Sequence, residues 1–572
     1  MHRSRLEQLP PELLSHLLSF VCLDSLLSLS ATSRLLHAFI TSSALPTYAA
    51  KTLGARTPFT LQHLPFHRRA PWAQRAQWGE RTSERWGAWD GRGAVVSPWT
   101  GGKCLPVVKL WEVDHGVGTV LVASGRELQL WATRNDGNLE VIPVVVPLPP
   151  GVAAAAAAGR GAAAPRGALD DVTSLASGTR PGEVVVARHS GLVQRLRVAH
   201  HADPARRRPL VLEETARYAM PGPGAGPAAD GKGATAVQAL HSGGGLLAAA
   251  TTTRLPPPSV SSALPSSSSL TASATPLHTL ATSLSSRAAP KSHAVTLHAL
   301  SSPWAPASAV LPFAAKPWAV HLSPSRRWLA VGHTGTAPLS LLHLDSTGSP
   351  TGSPALALAR TRRPTSVYGL TSPSPLSSGW ANPDETLLAA LYDSTARVYD
   401  LRVPVPGPAS SSSSWDDAHA AADDERPRNE VLRLSDPWSD DAAYALALGG
   451  PQGAVLAVGS ARNAAVRLFD LRAPAAPLFL LVEAETQREA KARDRATARG
   501  ITAFAPGRDR SPVYGLAGEA SRFWGVTERR GFVLDFDAFP RGGGAGGRRW
   551  GERVAYVGHE EGGGGTLRWM GE

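Results

Sequence analysis

Cysteine and methionine are scarce in this chain, whose 572 residues include 2 cysteines and 3 methionines. Cys22 and Cys104 are too few for a disulfide framework or a cysteine-ligated zinc site, which favours a reducing compartment. No apolar run reaches the ~18 residues of a membrane-spanning helix. Glu12, Ser15 and His16 interrupt the N-terminal apolar segment, so it does not resemble a secretory signal. We therefore expect a protein of the cytoplasm or the nucleus, without a membrane segment.

Blocks of basic residues are also missing, although the chain is basic overall. Lysine and arginine number 58 against 46 acidic residues, which gives a formal net charge of +12. The basic residues do not stand in long uninterrupted runs, and a diffuse excess of arginine is more typical of a solvated surface than of a nucleic-acid site. The charge is compatible with an acidic protein partner and makes nucleic acid the weaker alternative.

The sequence contains no recognisable catalytic, metal-binding or nucleotide-binding motif. The segment GPAADGKG at 226–233 has the glycine and lysine spacing of a phosphate-binding loop, but Gly233 stands where magnesium requires Ser or Thr. His200 and His201 lack the further ligands of a metal site, and no Gly-x-Ser-x-Gly elbow occurs. We expect a protein that is not an enzyme and that has no catalytic residues, cofactor or metal.

Residues 9–40, LPPELLSHLLSFVCLDSLLSLSATSRLLHAFI, have the pattern of two or three short amphipathic helices. Pro10 and Pro11 suit the first turn of a helix, and Glu12 complements the positive end of its dipole. Leucine and phenylalanine cover a wider arc of the first helix than the ~100° stripe that a surface helix buries. These helices therefore carry more apolar surface than they can bury among themselves.

Residues 46–104 are predicted to be a connector rich in tryptophan and arginine. AQRAQWGERTSERW within it is predicted to be helical. Neighbouring Trp and Arg side chains could stack on nucleic-acid bases, but the more ordinary interpretation is that the indoles pack on the adjoining domain. The connector tryptophans are Trp72, Trp78, Trp86, Trp89 and Trp99.

From residue 105 onward, short strands recur as one phrase: an apolar strand, a turn of small polar residues, and a strand ending in an aromatic residue or Asp. The clearest copies are ETLLAALYDSTARVYDLR at 385–402 and GAVLAVGSARNAAVRLFDLR at 453–472. Isolated hairpins of this length are unstable, whereas repetition around a channel buries their faces. Weaker copies lie at 118–133, 182–198, 244–300, 327–345 and 521–537, and apolar strands precede the better copies at 317–325, 366–374, 443–449 and 511–519.

Low-complexity segments interrupt these repeats in a chain that has 55 glycines and 48 prolines. Their compositions cannot offset ordering entropy by burial, so we expect long disordered loops. The segments lie at about 151–167, 221–233, 255–292, 403–427 and 541–549. Residues 483–500 have the charge pattern of a short inserted helix.

The N-terminal pattern resembles an F-box over residues 6–45. The match comprises the Leu-Pro-x-Glu-Leu-Leu start, the Leu-Leu-Ser-Phe end of the first helix, and the segments DSLLSLS and TSRLLHAFI; Leu36 stands where many F-boxes have Trp. The resemblance implies docking on a Skp-type adaptor and, through it, on a cullin. It assigns adaptor binding to Leu9, Pro10, Glu12, Leu13, Leu14, Leu17, Leu18, Phe20, Leu26, Leu27, Leu29, Ser33 and Arg34. The alternative is a helical hairpin that packs only on the protein's own core.

Residues 105–572 resemble a degenerate WD-repeat propeller. ARVYDLR and AVRLFDLR have Tyr-Asp and Phe-Asp where Trp-Asp is usual, and the Gly-His that opens many repeats is mostly absent. The resemblance implies a mainly β fold, in which a small all-α F-box module precedes a seven-bladed β-propeller with long disordered insertions. A final strand from RVAYVGHE or GTLRWM is expected to close the ring on an early strand near 105–112.

Together the two resemblances predict a non-enzymatic substrate-recognition subunit of an SCF ubiquitin ligase, with a protein substrate bound at the propeller rim or channel mouth. The basic charge favours an acidic or phosphorylated substrate, for which Arg397, Arg462 and Arg467 are candidate contacts. Arg397 and Arg467 also fit strand residues that face solvent. Two alternatives stay open: a protein-interaction scaffold that does not promote ubiquitin transfer, and a nucleic-acid-associated propeller.

Overall fold

The computed structural model describes the chain in separate ranges, and it is mostly β-sheet. The described residues are 6–48, 71–87, 92–98, 105–113, 117–133, 139–145, 171–200, 210–218, 220, 235–254, 291–303, 305–351, 355–361, 363–373, 380, 382–403, 429–436, 439–471, 500–506, 510–536, 552–553, 556–559 and 567–568.

Short helices occupy residues 6–48, as the sequence predicts. A 3-10 turn at Leu6–Gln8 precedes α1 (Pro11–Leu18), α2 (Leu23–Ser30) and α3 (Arg34–Phe39), and a π-helical turn follows at Ile40–Ala44. Ser33 caps α3, because its hydroxyl accepts a hydrogen bond from the Leu36 N–H at 3.2 Å. One apolar cluster holds these helices together and buries Leu14, Leu18, Leu23, Leu26, Leu36, Ile40, Ala44 and Leu45.

Helix α4 (Trp72–Gly87) connects this cluster with the sheets. Trp78, in the middle of the helix, is buried in the N-terminal cluster. Trp86, near its end, stacks on Phe536 with ring centroids 3.6 Å apart, and its Nε1 donates a hydrogen bond to the Ala520 carbonyl at 3.0 Å. The prediction of a helix whose indoles pack on neighbouring structure is confirmed for these two tryptophans.

The strands fall into seven consecutive groups, preceded by β1 (Arg92–Pro98). The first three groups are β2 (Val107–Val113), β3 (Val117–Ser124), β4 (Glu127–Thr133) and β5 (Leu139–Val145); β6 (Val172–Ser177), β7 (Glu183–Arg188), β8 (Val193–His200) and β9 (Leu210–Tyr218); and β10 (Thr235–Gly243), β11 (Leu246–Arg254), β12 (Lys291–Ala299) and β13 (Ala309–Phe313).

The next two groups are β14 (Pro317–Leu322), β15 (Trp328–Gly335), β16 (Leu339–His343) and β17 (Leu356–Ala359); and β18 (Thr365–Thr371), β19 (Thr386–Leu391), β20 (Ala396–Asp400) and β21 (Glu430–Leu434). The last two are β22 (Ala443–Gly449), β23 (Val455–Ser460), β24 (Ala465–Asp470) and β25 (Gly500–Phe504); and β26 (Val513–Gly518), β27 (Arg522–Thr527) and β28 (Arg530–Asp535). Further short pieces are β29 (Glu552–Arg553), β30 (Tyr556–His559), β31 (Leu567–Arg568) and 3-10 turns at Pro383–Glu385 and Pro451–Gly453.

Each strand of a group pairs antiparallel with the next strand along the chain. Two further pairings, β5 with β9 and β15 with β18, join neighbouring groups, so that the described strands form five hydrogen-bonded sheets. The second and third strands of the groups coincide with the seven predicted repeat copies. These hairpins are therefore confirmed.

The apolar core of the sheets lies between neighbouring groups. The first strands of the groups contact one another in chain order, from β2 through β6, β10, β14, β18 and β22 to β26, and β26 contacts β2. Separate clusters of buried side chains fill the spaces between successive groups. A further cluster brings Trp131 of the first group against Trp524 of the last.

The strand that joins the two ends of the sheet region differs from the expected one. β1, inside the predicted connector, pairs antiparallel with β28, and its register runs from Arg92 opposite Asp535 to Pro98 opposite Arg530. The predicted early strand near 105–112 is β2, which begins the first group instead. The predicted late strands also differ, because RVAYVGHE supplies β30, which pairs with β25, and GTLRWM supplies β31, which pairs with β30.

The predicted low-complexity loops lie almost entirely outside the described residues. One boundary needs correction: the segment expected at 255–292 ends too late, because Lys291 and Ser292 are the first residues of β12 and pair with Arg254 and Thr253. Val403, at the edge of the 403–427 segment, is described within a turn after β20. The charged segment 483–500 lies outside the described residues except for Gly500, which begins β25.

Candidate functional site

The N-terminal helices leave large apolar side chains exposed: Leu13, Leu17 and Phe20 along α1 and just after it, and Leu35 on α3. Leu13 is 54% exposed, Leu17 48%, Phe20 74% and Leu35 43%. Leu13 and Leu17 are four residues apart and share one face of α1, and Phe20 follows just after the helix, where its ring meets the His16 ring edge-on at 5.1 Å. Contiguous exposed apolar side chains are typical of interaction sites on protein surfaces.

The thirteen residues that the F-box resemblance assigns to adaptor binding divide by burial. Pro10, Glu12, Leu13, Leu17, Phe20 and Arg34 are exposed, and Leu9, Leu27, Leu29 and Ser33 are half-buried. Leu14, Leu18 and Leu26 are at most 3% exposed and belong to the core of the helices. These three side chains therefore support the surface from beneath. Leu35 was absent from the predicted set, although its position in an apolar helical segment was visible in the sequence.

Two of the three candidate substrate-binding arginines are occupied by internal ion pairs. The Arg397 side chain is 4% exposed and lies 2.5 Å from Asp393 and 3.3 Å from Glu430. The Arg467 side chain is 1% exposed and donates to the carbonyls of Ser394 and Asp441. Neither guanidinium presents itself to a partner, and neither faces solvent as a strand residue.

Arg462 has a different position from the other two arginines. Its side chain is 75% exposed, and its Nε lies 3.9 Å from a carboxylate oxygen of Asp441. It lies in the turn between β23 and β24 and is the one candidate of the three that a partner can reach.

A row of aromatic side chains, hereafter the aromatic row, lies at the start of four successive first strands. It consists of Trp318 in β14, Tyr368 in β18, Tyr444 in β22 and Tyr514 in β26. Neighbouring ring centroids are 5.2, 4.8 and 6.3 Å apart along the row. All four side chains are half-buried, and the exposed Tyr392 lies 6.1 Å from Tyr368.

Each residue of the aromatic row lies at a point where the pairing register of its strand shifts by one residue. The pairing skips from Pro317 to Ala319, from Val367 to Gly369, from Ala443 to Ala445 and from Val513 to Gly515. A bulge turns one side chain out of the regular alternation and is common beside functional sites. The sequence contains the signal, an aromatic residue followed by a small and an apolar one, but only the structure brings the four copies together.

The aromatic row and helix α4 lie at opposite ends of the first strands. Tyr444 is the second residue of β22, whereas Gly450, just past the end of that strand, lies beside Trp86 of α4. Six residues of extended chain correspond to about 20 Å. Helix α4, which also packs on the N-terminal helices, therefore contacts the sheets at the end of the first strands that is remote from the aromatic row.

Within the described ranges, no group of three or more His, Cys, Asp or Glu side chains is arranged to hold a metal ion. None of the helices in the described part of the chain is long and apolar enough to cross a membrane.

Comparison with known proteins assigns a family to the N-terminal helices alone. The model of the F-box domain matches residues 6–48, which include α1 to α3 and their exposed apolar side chains. The search of curated proteins finds no match to this chain.

Proposed function

We propose that this chain, with its F-box domain at residues 6–48, is the substrate-recognition subunit of an SCF-type ubiquitin ligase. The F-box domain docks on a Skp-type adaptor, which connects it to a cullin. The observation that carries the proposal is the exposure of Leu13, Leu17, Phe20 and Leu35 on this domain. Covering such side chains stabilises a complex by about 25 cal/mol per Å² of apolar surface removed from water.

The seven groups of strands are proposed to be the blades of a WD-repeat-like β-propeller. The support is threefold: the repeat copies fold as hairpins, the first strands contact one another in chain order, and β1 completes the last group by pairing with β28. A propeller in which an early strand completes the last blade protects its sheet edges, since every blade packs between two others.

The protein contributes to ubiquitin transfer by proximity. A substrate held on the sheets and an adaptor held on the F-box domain become parts of one complex, which raises the effective concentration of substrate lysines near the ubiquitin-charged enzyme. Helix α4 has buried tryptophans in both the N-terminal cluster and the sheets. It therefore fixes the distance between the two docking surfaces.

The aromatic row is proposed as the surface that binds the protein substrate. Burial raises the pKa of Tyr368 and of Tyr444, so both hydroxyls stay protonated at neutral pH and can donate hydrogen bonds to a peptide backbone. The ring faces pack against apolar side chains of an extended segment. Lys316, whose Nζ lies 3.6 Å from the Trp318 ring centroid, places positive charge beside the row and favours an acidic or phosphorylated segment, for which the exposed Arg462 in the turn between β23 and β24 is a further candidate contact.

The adaptor surface is tested by Leu13→Asp combined with Leu17→Asp in the full chain. Two charges on the exposed face of α1 should reduce the affinity for a Skp-type adaptor at least tenfold, which corresponds to about 1.4 kcal/mol. The affinity is measured by titrating purified adaptor in a binding assay. Val431→Asp is the matched control, because Val431 is 53% exposed on β21 and lies outside the F-box domain.

Unchanged adaptor affinity in the double variant, with an unchanged melting temperature, would contradict the proposal. Recovery of cullin together with the wild-type protein and its adaptor would support a ligase receptor. Recovery of the adaptor without cullin would indicate a scaffold. Tyr368→Ser with Tyr444→Ser tests the other surface: it should keep adaptor binding and lose substrate capture in proximity labelling.

A further inference from the structure

A cavity of about 740 Å³ lies between the first strands of the seven groups. Lys109 of β2, His241 of β10, His321 of β14 and Leu446 of β22 are among the side chains that line it. Most lining residues belong to the later parts of these strands, and Gly453, beside the end of α4, is one of them. The cavity is therefore at the opposite end from the aromatic row.

Lys109 places an unneutralised positive charge in this cavity. Among the described residues, no carboxylate lies within ion-pair distance of its ammonium group. Glu183 also lines the cavity, outside ion-pair distance of Lys109, and its negatively charged carboxylate accepts hydrogen bonds from the Thr179 N–H at 3.2 Å and the Thr179 hydroxyl at 2.9 Å. Arg180, which is exposed, adds a second positive charge to the lining. Burial lowers the pKa of Lys109, as expected for a cation without a partner in an enclosed site.

Two histidine rings, tilted by 47° to each other, are part of the cavity wall near Lys109. The His241 and His321 ring centroids are 4.1 Å apart. Burial lowers both histidine pKa values, and the charge of Lys109 lowers them further, with that of His321 at about 3. Both rings are therefore neutral at pH 7 and add no charge to the cavity.

His321 has a buried ring nitrogen without a hydrogen-bond partner among the described residues. The residue is 5% exposed, its Nε2 lies 2.8 Å from the Ser372 hydroxyl, and its Nδ1 is the unpaired atom. When the Ser372 hydroxyl donates to Nε2, Nδ1 carries the proton. Because the Nδ1 atom is buried from solvent, Lys109 and Arg180 are the groups of the lining that offer positive charge to a bound anion.

We propose that this cavity binds an anion that carries a phosphate or carboxylate group, with Lys109 as its counter-ion. The cavity volume of about 740 Å³ is many times the ~30 Å³ that one water molecule occupies in the liquid, so the cavity is larger than a single phosphate. It therefore accommodates a small polyanion or an acidic side chain of a peptide. The inference does not depend on the proposed ligase function.

The test uses the full chain and measures its melting temperature in sodium phosphate, sodium pyrophosphate and sodium citrate, each at an ionic strength matched with sodium chloride. At least one of these anions should raise the melting temperature of the wild type by about 2 °C or more, in a dose-dependent way. Lys109→Met should abolish the increase. Lys316→Met is the matched control and should retain it, because Lys316 lies over Trp318 in the aromatic row.

A second readout needs no ligand. Because Lys109 has no partner among the described residues, Lys109→Met should keep or raise the melting temperature in sodium chloride alone. A peptide containing phosphoserine, compared with inorganic phosphate, identifies the source: a larger shift with the peptide that Lys109→Met abolishes assigns the site to a protein side chain, and equal shifts with both, also abolished by Lys109→Met, assign it to a free anion. Absence of any shift, or equal shifts in Lys109→Met and the wild type, would overturn the proposal. Adaptor affinity should be unaffected throughout.

Discussion

His298 is a buried residue without a hydrogen-bond partner in the described part of the chain. It lies in β12, is 1% exposed, and neither of its ring nitrogens has a partner there; its ring meets the Tyr218 ring edge-on at 5.7 Å. Burial lowers its pKa from 6.5 to about 4. The unfolded chain therefore binds more protons than the folded protein between these two values, and the free energy of unfolding decreases as the pH falls from 6.5 toward 4.

We expect His298→Leu to remove part of this acid sensitivity. At pH 7 the substitution should have a small effect, because the wild-type ring is neutral. The free energy of unfolding of the variant, measured against that of the wild type, should be about 2 kcal/mol higher at pH 5 than at pH 7. Denaturant unfolding at pH 7 and pH 5 measures both values. The exposed His343→Gln serves as the control, and equal pH dependence of His298→Leu and the wild type would contradict the prediction.

The candidate arginines illustrate what sequence can and cannot say about single residues. Arg397 and Arg467 lie in the best repeat copies, and the sequence correctly places them in strands. Asp393, four residues before Arg397, is a local partner, but the other acidic partners are remote in sequence. Glu430 lies 33 residues from Arg397, and Asp436 lies 31 residues from Arg467, in or just after β21. Pairing across strands is a tertiary property, so sequence could not show that both charges are used internally.

At the scale of elements, α4 is the connection between the F-box domain and the sheets. Trp86 is 1% exposed, and its stacking on Phe536 and hydrogen bond to Ala520 fix the C-terminal end of the helix. We expect Trp86→Ala to destabilise the protein by about 3–5 kcal/mol, because it leaves a large cavity in the sheet core. Thermal melting measures the loss.

Adaptor binding distinguishes a local effect from general unfolding in this variant. Trp86→Ala leaves the F-box cluster around Trp78 untouched, so adaptor affinity should remain that of the wild type at 20 °C. Trp78→Ala is the counterpart that should weaken both properties. A Trp86→Ala variant that melts like the wild type would show that α4 is held by its other contacts.

Element prediction succeeded where the signal is local. The hairpins follow from alternating apolar residues and short turns, which lie within 20 residues of each other in the clearest copies. The role of β1 could not be predicted, because RGAVVSP is short and its partner β28 lies near the other end of the chain. The aromatic row was visible only as separate dipeptides, and the cavity around Lys109 requires side chains from seven groups.

At the scale of the whole molecule, the contact between the first and last groups of strands connects the two ends of the sheet region. Trp131 of β4 is fully buried against β28, where Gly531 allows the indole to approach the backbone. A Cβ atom on Gly531 would lie 1.8 Å from the Trp131 ring. This glycine is required by close packing, since its backbone is ordinary extended strand.

Gly531→Ala is therefore expected to destabilise the whole sheet assembly by about 1–3 kcal/mol. Adding Trp131→Phe, which shortens the ring, should recover part of the loss, and this coupling is measured by a double-mutant cycle in denaturant. Gly369→Ala is the control, because its nearest contact at 3.2 Å is much looser. Strict additivity of the two substitutions would show that the first and last groups are not coupled through this contact.

The pairing of β1 with β28 has a consequence for synthesis on the ribosome. The register places Arg92 opposite Asp535, so β1 leaves the ribosome long before its partner exists. At ~5–20 residues per second, the interval is roughly 20–90 s. During that time β1 presents an open strand edge, and the F-box domain is already complete. Under the proposed function, the F-box domain is available to an adaptor before the substrate-binding region is finished, and chaperones that shield strand edges determine how many chains reach that state.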